Sequence, residues 1–299
     1  MLDKERLSSI ANDVRFDEPM SAHTTFRIGG RADAFVSAAN ALEIGKVIHF
    51  CNDTDTTYVI VGNGSNLLVG DGGIRGVVIH IGKAMSKCRI DGTEVTADAG
   101  ILMSTLAHNI LEARLTGFEF AAGIPGTLGG GVFMNAGAYG GELKDIIDTV
   151  TFIAPDGLIR TETADKLSFG YRTSVFVNGG YTILSCKMRL KEGNYDEIKE
   201  RMAELARKRA DKQPLSQPSA GSTFKRPEGH FAGKLIQDAG LMGCKIGGAM
   251  VSDKHAGFVV NTGDATAKDV AALIKYIQKA VNDKFGVMLE PEVRFIGEA

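Results

Sequence analysis

Glycine constrains this chain more than any other residue type. The 299 residues include 37 glycines, gathered at 62–82, 117–141 and 221–248, with no repeat or low-complexity tract to account for them. Glycine collects where the backbone takes dihedrals closed to other residues, or where something must lie close against it. Such a chain folds into regular elements joined by specialised turns, and those turns are where function is to be sought. The remaining composition is that of a globular protein, 44% hydrophobic and 23% charged. A net charge of −2 provides no global field for nucleic acid or an anionic membrane. The basic run "KERMAELARKRADK" (199–212) alternates with acids and reads as a solvated helix face.

The opening "MLDKERLSSIANDVRFDE" is polar, without the apolar segment of a secretory signal, and no run approaches a membrane span. Cysteines 51, 88, 186 and 244 are too dispersed for a clustered zinc site and are expected as reduced thiols, with no metal bound. The expectation is a cytoplasmic protein with no nucleic-acid, membrane or obligatory protein partner.

Periodicity predicts an α+β fold. Strands are expected at "ADAFVSA", "TTYVIVG", "GVVIHI" and "TEVTADAG", and at two runs joined by Pro155-Asp156-Gly157. "GYTILSCKMRL" and "HAGFVVNTG" follow as strands. "ALEIGKVIHFCNDT" predicts a helix with an apolar stripe at Leu42, Ile44, Val47 and Ile48. Further helices are expected at "ILMSTLAHNILEAR", 195–212 and "FAGKLIQDAG". "TAKDVAALIKYIQKAVNDKFG" is the clearest, opened by a Thr266-x-x-Asp269 capping box and stopped at Gly286. "VMLEPEVRFIG" closes the chain as a strand interrupted by Pro291, which argues for an edge or a bulge.

In "VIVGNGSNLLV", a strand runs into Gly62, Asn63, Gly64, Ser65 and Asn66. Such a turn can aim several backbone N–H groups at a diphosphate, or it can be a tight structural turn. Neither a Walker lysine nor G-x-G-x-x-G spacing is present. "AAGIPGTLGGGVFMNAGAYGG" lets something flat or extended lie against the backbone, and Asn135 and Tyr139 are the polar side chains among its small neighbours.

Six stretches in order, "TTFRIGGRADAFV", "VGNGSNLLVGDGG", "GIPGTLGGGVFMNAGAYGGE", "FGYRTSVF", "AGSTFKRP" and "LEPEVRFIG", resemble the UDP-N-acetylenolpyruvoylglucosamine reductase family over nearly the whole chain. The resemblance implies an FAD-binding fold of the vanillyl-alcohol oxidase (PCMH) type. Its two subdomains would be 1–85, joined by the C-terminal strand 287–299, and 86–210, with an α+β substrate-binding domain at 211–286. It also implies noncovalent FAD, NADPH as reductant, and reduction of UDP-N-acetylglucosamine enolpyruvate to UDP-N-acetylmuramate in peptidoglycan precursor synthesis. His23 is the nearest candidate for a covalent flavin link, and no position demands one. Gly62 to Asn66 would meet the FAD diphosphate. Gly123, Ile124, Gly126, Thr127, Asn135, Gly137 and Ala138 would line the rest of the flavin. Thr25 and Arg27 are candidates for the cofactor side, and read as structural support.

The same resemblance assigns the chemistry to Arg172, Ser222 and Glu292. A planar, permanent cation at Arg172 suits a carboxylate. Ser222 matches the proton donor, although a serine hydroxyl is a weak acid, and Lys225 would polarise its surroundings. From the residues alone, Ser222 equally suits a turn between glycine and proline. Glu290 and Glu292 would share one face of an extended strand, so spacing does not choose between them; the resemblance favours Glu292. Tyr139, Lys212, Lys225 and His255 are the expected substrate contacts. The chain resembles the shorter variety, without an inserted tyrosine-bearing loop, and has Arg226 where other members carry asparagine. An FAD-dependent sugar or lactone oxidase and a non-catalytic flavin- or nucleotide-binding module are the competing readings.

Overall fold

A computed structural model describes residues 2–299. The chain divides into two compact units, and it passes between them several times. One holds the residues up to Arg15 together with Ala34–Asn63 and Gly76–Arg209; the other holds Phe16–Asp33, Gly64–Arg75 and Ala210–Ala299.

Strands Tyr58–Val61 and Ile74–His80 pair in parallel, with Tyr58 opposite Val77 and Val61 opposite His80. They belong to a four-stranded sheet that also includes Arg31–Ser37 and Val14–Pro19. A five-stranded sheet follows, in the order Ile159–Thr163, Ile147–Ile153, Thr182–Arg189, Glu94–Asp98, Cys88–Asp91, all its neighbours antiparallel. Val150, Cys186, Ala97 and Val95 are buried on it, the β-branched and small residues that a pleated inner face accommodates.

Helix Ala41–Asp53 forms as expected, capped where the Asn40 side chain accepts from the Glu43 N–H. Its buried stripe is Ile44, Val47, Ile48, Phe50 and Cys51, whereas Leu42, expected in that stripe, is 70% exposed. Leu42 lies two residues before Ile44, a 200° step that turns it off the inner face. Burial pushes the Cys51 thiol up to about 11. Helix Tyr195–Lys212 buries only Ile198 and Leu205. On its solvated side Glu204 pairs with Arg201 and Lys208.

The second unit has its core around helix Ala267–Phe285, which turns Val270, Leu273, Ile274, Ile277 and Val281 inward. They meet Phe224, Leu235, Ile236, Val251, Val259 and Leu289. The Thr266 hydroxyl accepts from the Asp269 N–H, and the Asp269 carboxylate accepts from the Thr266 N–H. The Asp71 carboxylate also accepts from the Ala267 and Lys268 N–H groups at 2.8 and 3.0 Å, a second cap supplied from far along the chain. Because the cap is doubled, Thr266→Ala is expected to cost about 1 kcal/mol or less of unfolding free energy. A urea titration measures this, and a loss above about 2 kcal/mol would mean that Thr266 supports more than the cap.

Strands Lys245–Ile246, Ala249–Val251 and Val259–Asn261 form a small antiparallel sheet. The last strand begins only at Arg294, after the proline, and pairs in parallel with Leu67–Val69. No helix among the described residues is long and apolar enough to cross a membrane.

Candidate active site

The two glycine clusters meet within the first unit. A Cβ added to Gly62 would lie 2.3 Å from Thr127 Oγ1, so only glycine lets these turns close on one another. The N–H groups of Gly62, Asn63 and Gly64 donate to no protein acceptor among the described residues. Three successive donors left open at a strand end suit an anion. Gly123 packs under Arg209: its carbonyl accepts from Arg209 Nη1, and a Cβ there would come within 3.1 Å of Arg209 Nε. That Nε is buried with no hydrogen-bond partner among the described residues. Arg209 was legible in the sequence only as one more charge on a solvated helix.

Arg172 sits in the same unit at the tip of a tight turn. Gly170 and Thr173 exchange backbone hydrogen bonds of 3.1 and 3.4 Å across it. Arg172 takes a left-handed conformation, φ 55°, that non-glycine side chains rarely adopt. Its Nη2 donates to the Gly137 carbonyl at 3.2 Å, and its guanidinium lies 5.0 Å from the Tyr171 ring centroid. Tyr139 is 43% exposed and likewise left-handed, φ 52°. The Asn135 side chain is different: it is wholly buried and fully engaged by the protein.

The second unit holds Ser222 and Glu292. The segment 219–225 is pinned by isolated bridges at Ser219 and Phe224, its partners lying far apart in sequence. Thr223 N donates to Gly257 O at 2.8 Å, and Thr223 Oγ1 accepts from Val259 N at 2.9 Å. On the other edge, Glu292 N donates to Thr223 O at 2.8 Å and Lys225 N donates to Glu290 O at 2.9 Å. Gly221 supplies the bend within this segment with φ 76°, open to glycine and strained for most residues. Thr223 and Phe224 are thereby buried, while Ser222 is exposed and its hydroxyl takes no protein partner among the described residues. Ser222 therefore makes no side-chain turn of the kind its surroundings suggested.

The same ladder separates the two glutamates. Glu290 pairs with Lys225, Oε1 to Nζ 2.5 Å, at a site where the glutamate side chain is 69% exposed. Glu292 is half-buried, its carbonyl accepting from Asn66 Nδ2 at 3.1 Å. Lys225 thus stands in an ion pair beside the serine segment. His255 adjoins it: Nδ1 accepts from Gly257 N at 3.0 Å, leaving its proton on Nε2. Burial, and then the charge of Lys212, hold the His255 imidazole below its ordinary pKa. Thr25 supports the arrangement, its N–H donating to Gly64 O and its hydroxyl to Ser219 O at 2.7 Å. His23 is paired with Glu18 at 2.8 Å.

No group of three or more histidine, cysteine, aspartate or glutamate side chains suited to a metal ion occurs among the described residues. All four cysteines are free thiols.

Residues 32–162 match the family model described as FAD binding domain, and residues 213–296 match UDP-N-acetylenolpyruvoylglucosamine reductase, C-terminal domain. The UDP-N-acetylenolpyruvoylglucosamine reductase of Clostridioides difficile (strain 630) is 51% identical over 286 residues, covering 96% of this chain and 94% of its own. That of Agathobacter rectalis is 53% identical over 294 residues, covering 94% and 93%. The crystal structure of UDP-N-acetylenolpyruvylglucosamine reductase from Thermus caldophilus superposes with a TM-score of 0.81 at 35% identity, over 95% of this chain and 98% of that one. BBE-like 1 from Physcomitrella patens, 16% identical with a TM-score of 0.50 over 94% of this chain and 60% of its own, shares the fold alone. The fold is the FAD-binding fold of the vanillyl-alcohol oxidase type with an added C-terminal α+β domain. Helix Tyr195–Lys212 fills most of the stretch before Gly221, as in the shorter variety without the tyrosine-bearing loop. The chain belongs to the UDP-N-acetylenolpyruvoylglucosamine reductase family of FAD-containing oxidoreductases.

Proposed function

We propose that this chain reduces UDP-N-acetylglucosamine enolpyruvate to UDP-N-acetylmuramate with NADPH as reductant, in the cytoplasm, as a step of peptidoglycan precursor synthesis. The observation that carries the reading is the pairing of the Ser222 and Glu292 segments through Thr223 O and Glu292 N, beside an exposed Ser222 hydroxyl that has no protein partner among the described residues. A serine that only formed a turn between glycine and proline would have its hydroxyl engaged.

The residues present fit FAD. The open N–H groups of Gly62, Asn63 and Gly64 suit its diphosphate, with Ser65 and Asn66 completing the turn. The buried, unpartnered Arg209 Nε marks polar capacity behind the loop Gly123, Ile124, Gly126 and Thr127. Gly137 and Ala138 continue that surface, while the Asn135 carboxamide is turned into the protein. When bound, FAD stores the electron pair taken from NADPH and returns it as hydride. Within this scheme residues 1–85 with 287–299 and residues 86–210 form the flavin-binding subdomains, and 211–286 the substrate-binding domain. The pairing of Arg294–Ile296 with Leu67–Val69 supports joining the C-terminal strand to the first of these.

The chain's own residues then have separable tasks. Adding hydride to a double bond conjugated with a carboxylate builds negative charge on the carboxylate side, which Arg172 is suited to hold. Ser222 delivers the proton to the neighbouring carbon. Such a donation is feasible because a carbanion-like carbon is a far stronger base than water. Glu292 stabilises the enol-like intermediate. Tyr139, Lys212, Lys225 and His255 contact substrate, with Glu290 fixing the place of Lys225.

Absorbance at the NADPH band, with and without the enolpyruvyl substrate, tests this reading. Substrate-dependent oxidation yielding UDP-N-acetylmuramate is the expected result; substrate-independent oxidation to peroxide would identify an oxidase instead. Arg209→Ala is expected to raise the FAD dissociation constant roughly tenfold, the worth of one charge-assisted hydrogen bond. Flavin fluorescence on titrating stripped protein reports it. An unchanged constant would show that the loop holds without its arginine.

A further inference from the structure

Arg172 is held in a costly left-handed conformation, and something must keep it there. The ties run to one short segment. Ser174 Oγ donates to Phe133 O at 2.5 Å, Arg172 Nη2 donates to Gly137 O at 3.2 Å, and Asn135 Nδ2 donates to Gly170 O at 2.9 Å. The Gly170 carbonyl closes the turn by accepting from Thr173 N, so Asn135 grips the turn at its hinge.

The Asn135 carboxamide has no spare donor for a ligand. It is 0% exposed; its second Nδ2 hydrogen goes to Glu142 Oε2 at 3.0 Å, and its Oδ1 accepts from Lys144 N at 2.9 Å. The side chain therefore joins three stretches: its own glycine-rich loop, residues 142–144 and the Arg172 turn. Lys144 Nζ pairs with Glu142 Oε2 at 2.8 Å, so the acid beside Asn135 is held by its own cation. Asn135 is itself left-handed, φ 47°, a conformation asparagine tolerates better than most residues.

We propose that Asn135 is the positioning residue for Arg172: its carboxamide locks the Gly170–Thr173 turn to the glycine-rich loop and thereby sets where the guanidinium meets a substrate carboxylate. This deepens the function proposed above and rests on it. Asn135 touches no substrate; it acts through Arg172.

Two variants separate this role from mere folding. Asn135→Gly keeps the left-handed backbone without strain and removes only the carboxamide; Asn135→Asp keeps the shape and removes both donors. Both are expected to bind FAD within about twofold of wild type and to be reduced by NADPH at near the wild-type rate. The substrate half-reaction is expected to slow roughly 10- to 100-fold, the scale of a displacement of about an ångström. Calorimetry supplies a readout independent of turnover. The variants should bind UDP-N-acetylmuramate, which carries the carboxylate, more weakly than wild type, yet bind UDP-N-acetylglucosamine, which lacks it, equally well. Combining Asn135→Gly with Arg172→Lys should cost little beyond Arg172→Lys alone. An Asn135→Gly protein with wild-type carboxylate discrimination, or with lost FAD affinity and intact discrimination, would overturn the proposal. Failure of the wild-type protein to turn over the enolpyruvyl substrate would instead strike the function on which the proposal rests.

Discussion

Ser222→Ala is expected to leave the NADPH half-reaction within about twofold of wild type, and to slow the substrate half-reaction by roughly 10²- to 10⁴-fold, the usual contribution of a positioned acid. That range corresponds to about 3 to 5 kcal/mol of transition-state stabilisation. The fold should be unaffected, because the Ser222 hydroxyl is exposed and makes no protein hydrogen bond among the described residues. Stopped-flow absorbance of the flavin resolves the two halves separately. Equal losses in both would remove Ser222 from proton delivery and place it in flavin binding instead. The neighbouring Thr223→Ala makes an informative contrast. Thr223 is buried and its hydroxyl accepts from Val259 N, so that variant should lower the unfolding midpoint.

Arg172→Met is the second large effect. Removing a preorganised charge from the site of developing negative charge typically costs about 10²- to 10³-fold in turnover. Weaker substrate binding should accompany the loss, since the same fork grips the carboxylate in the ground state. Arg172→Lys should recover only part of it, because a lysine ammonium offers charge without the planar pair of donors. Steady-state measurement of kcat and KM for all three proteins decides the point. A lysine variant indistinguishable from wild type would mean that charge alone suffices and that the shape of the guanidinium is idle. The Arg172 side chain donates to Gly137 O and stacks near Tyr171, so a circular dichroism melt should accompany the kinetics.

Much of the fold was legible because it is local. The capping box at Thr266 and Asp269, the stop at Gly286 and the inward stripe of that helix follow from spacings of three and four. The hairpin turn at Pro155-Asp156-Gly157 follows from turn chemistry, and Gly157 N donates back to Ala154 O at 2.8 Å. Leu42 misled because apolar character marks what can be buried, not which way a given helical position points. The second cap, from Asp71, left no trace, since its partners lie 196 and 197 residues away.

The candidate site divides along the same line. Glycine clustering showed by itself where backbone would come close to backbone or to a ligand, and the ordered motifs named the residue types that carry the chemistry. What the tertiary structure alone decided was the partner of each side chain. Glu290 and Glu292 are equivalent on an extended strand until Lys225 takes Glu290 into an ion pair. Ser222 and Thr223 are adjacent hydroxyls until the pairing of 219–225 buries one and exposes the other. Asn135 looked like a ligand among small residues, yet its carboxamide is consumed by Gly170, Glu142 and Lys144. Arg209 looked like solvated charge, yet it holds Gly123 O. The physical reason is common to all four. Residue type and spacing set what a side chain can donate, accept or bury, but hydrogen bonds and ion pairs reach only about 3 to 4 Å. Which groups come within that reach is settled by chain segments that meet only after folding.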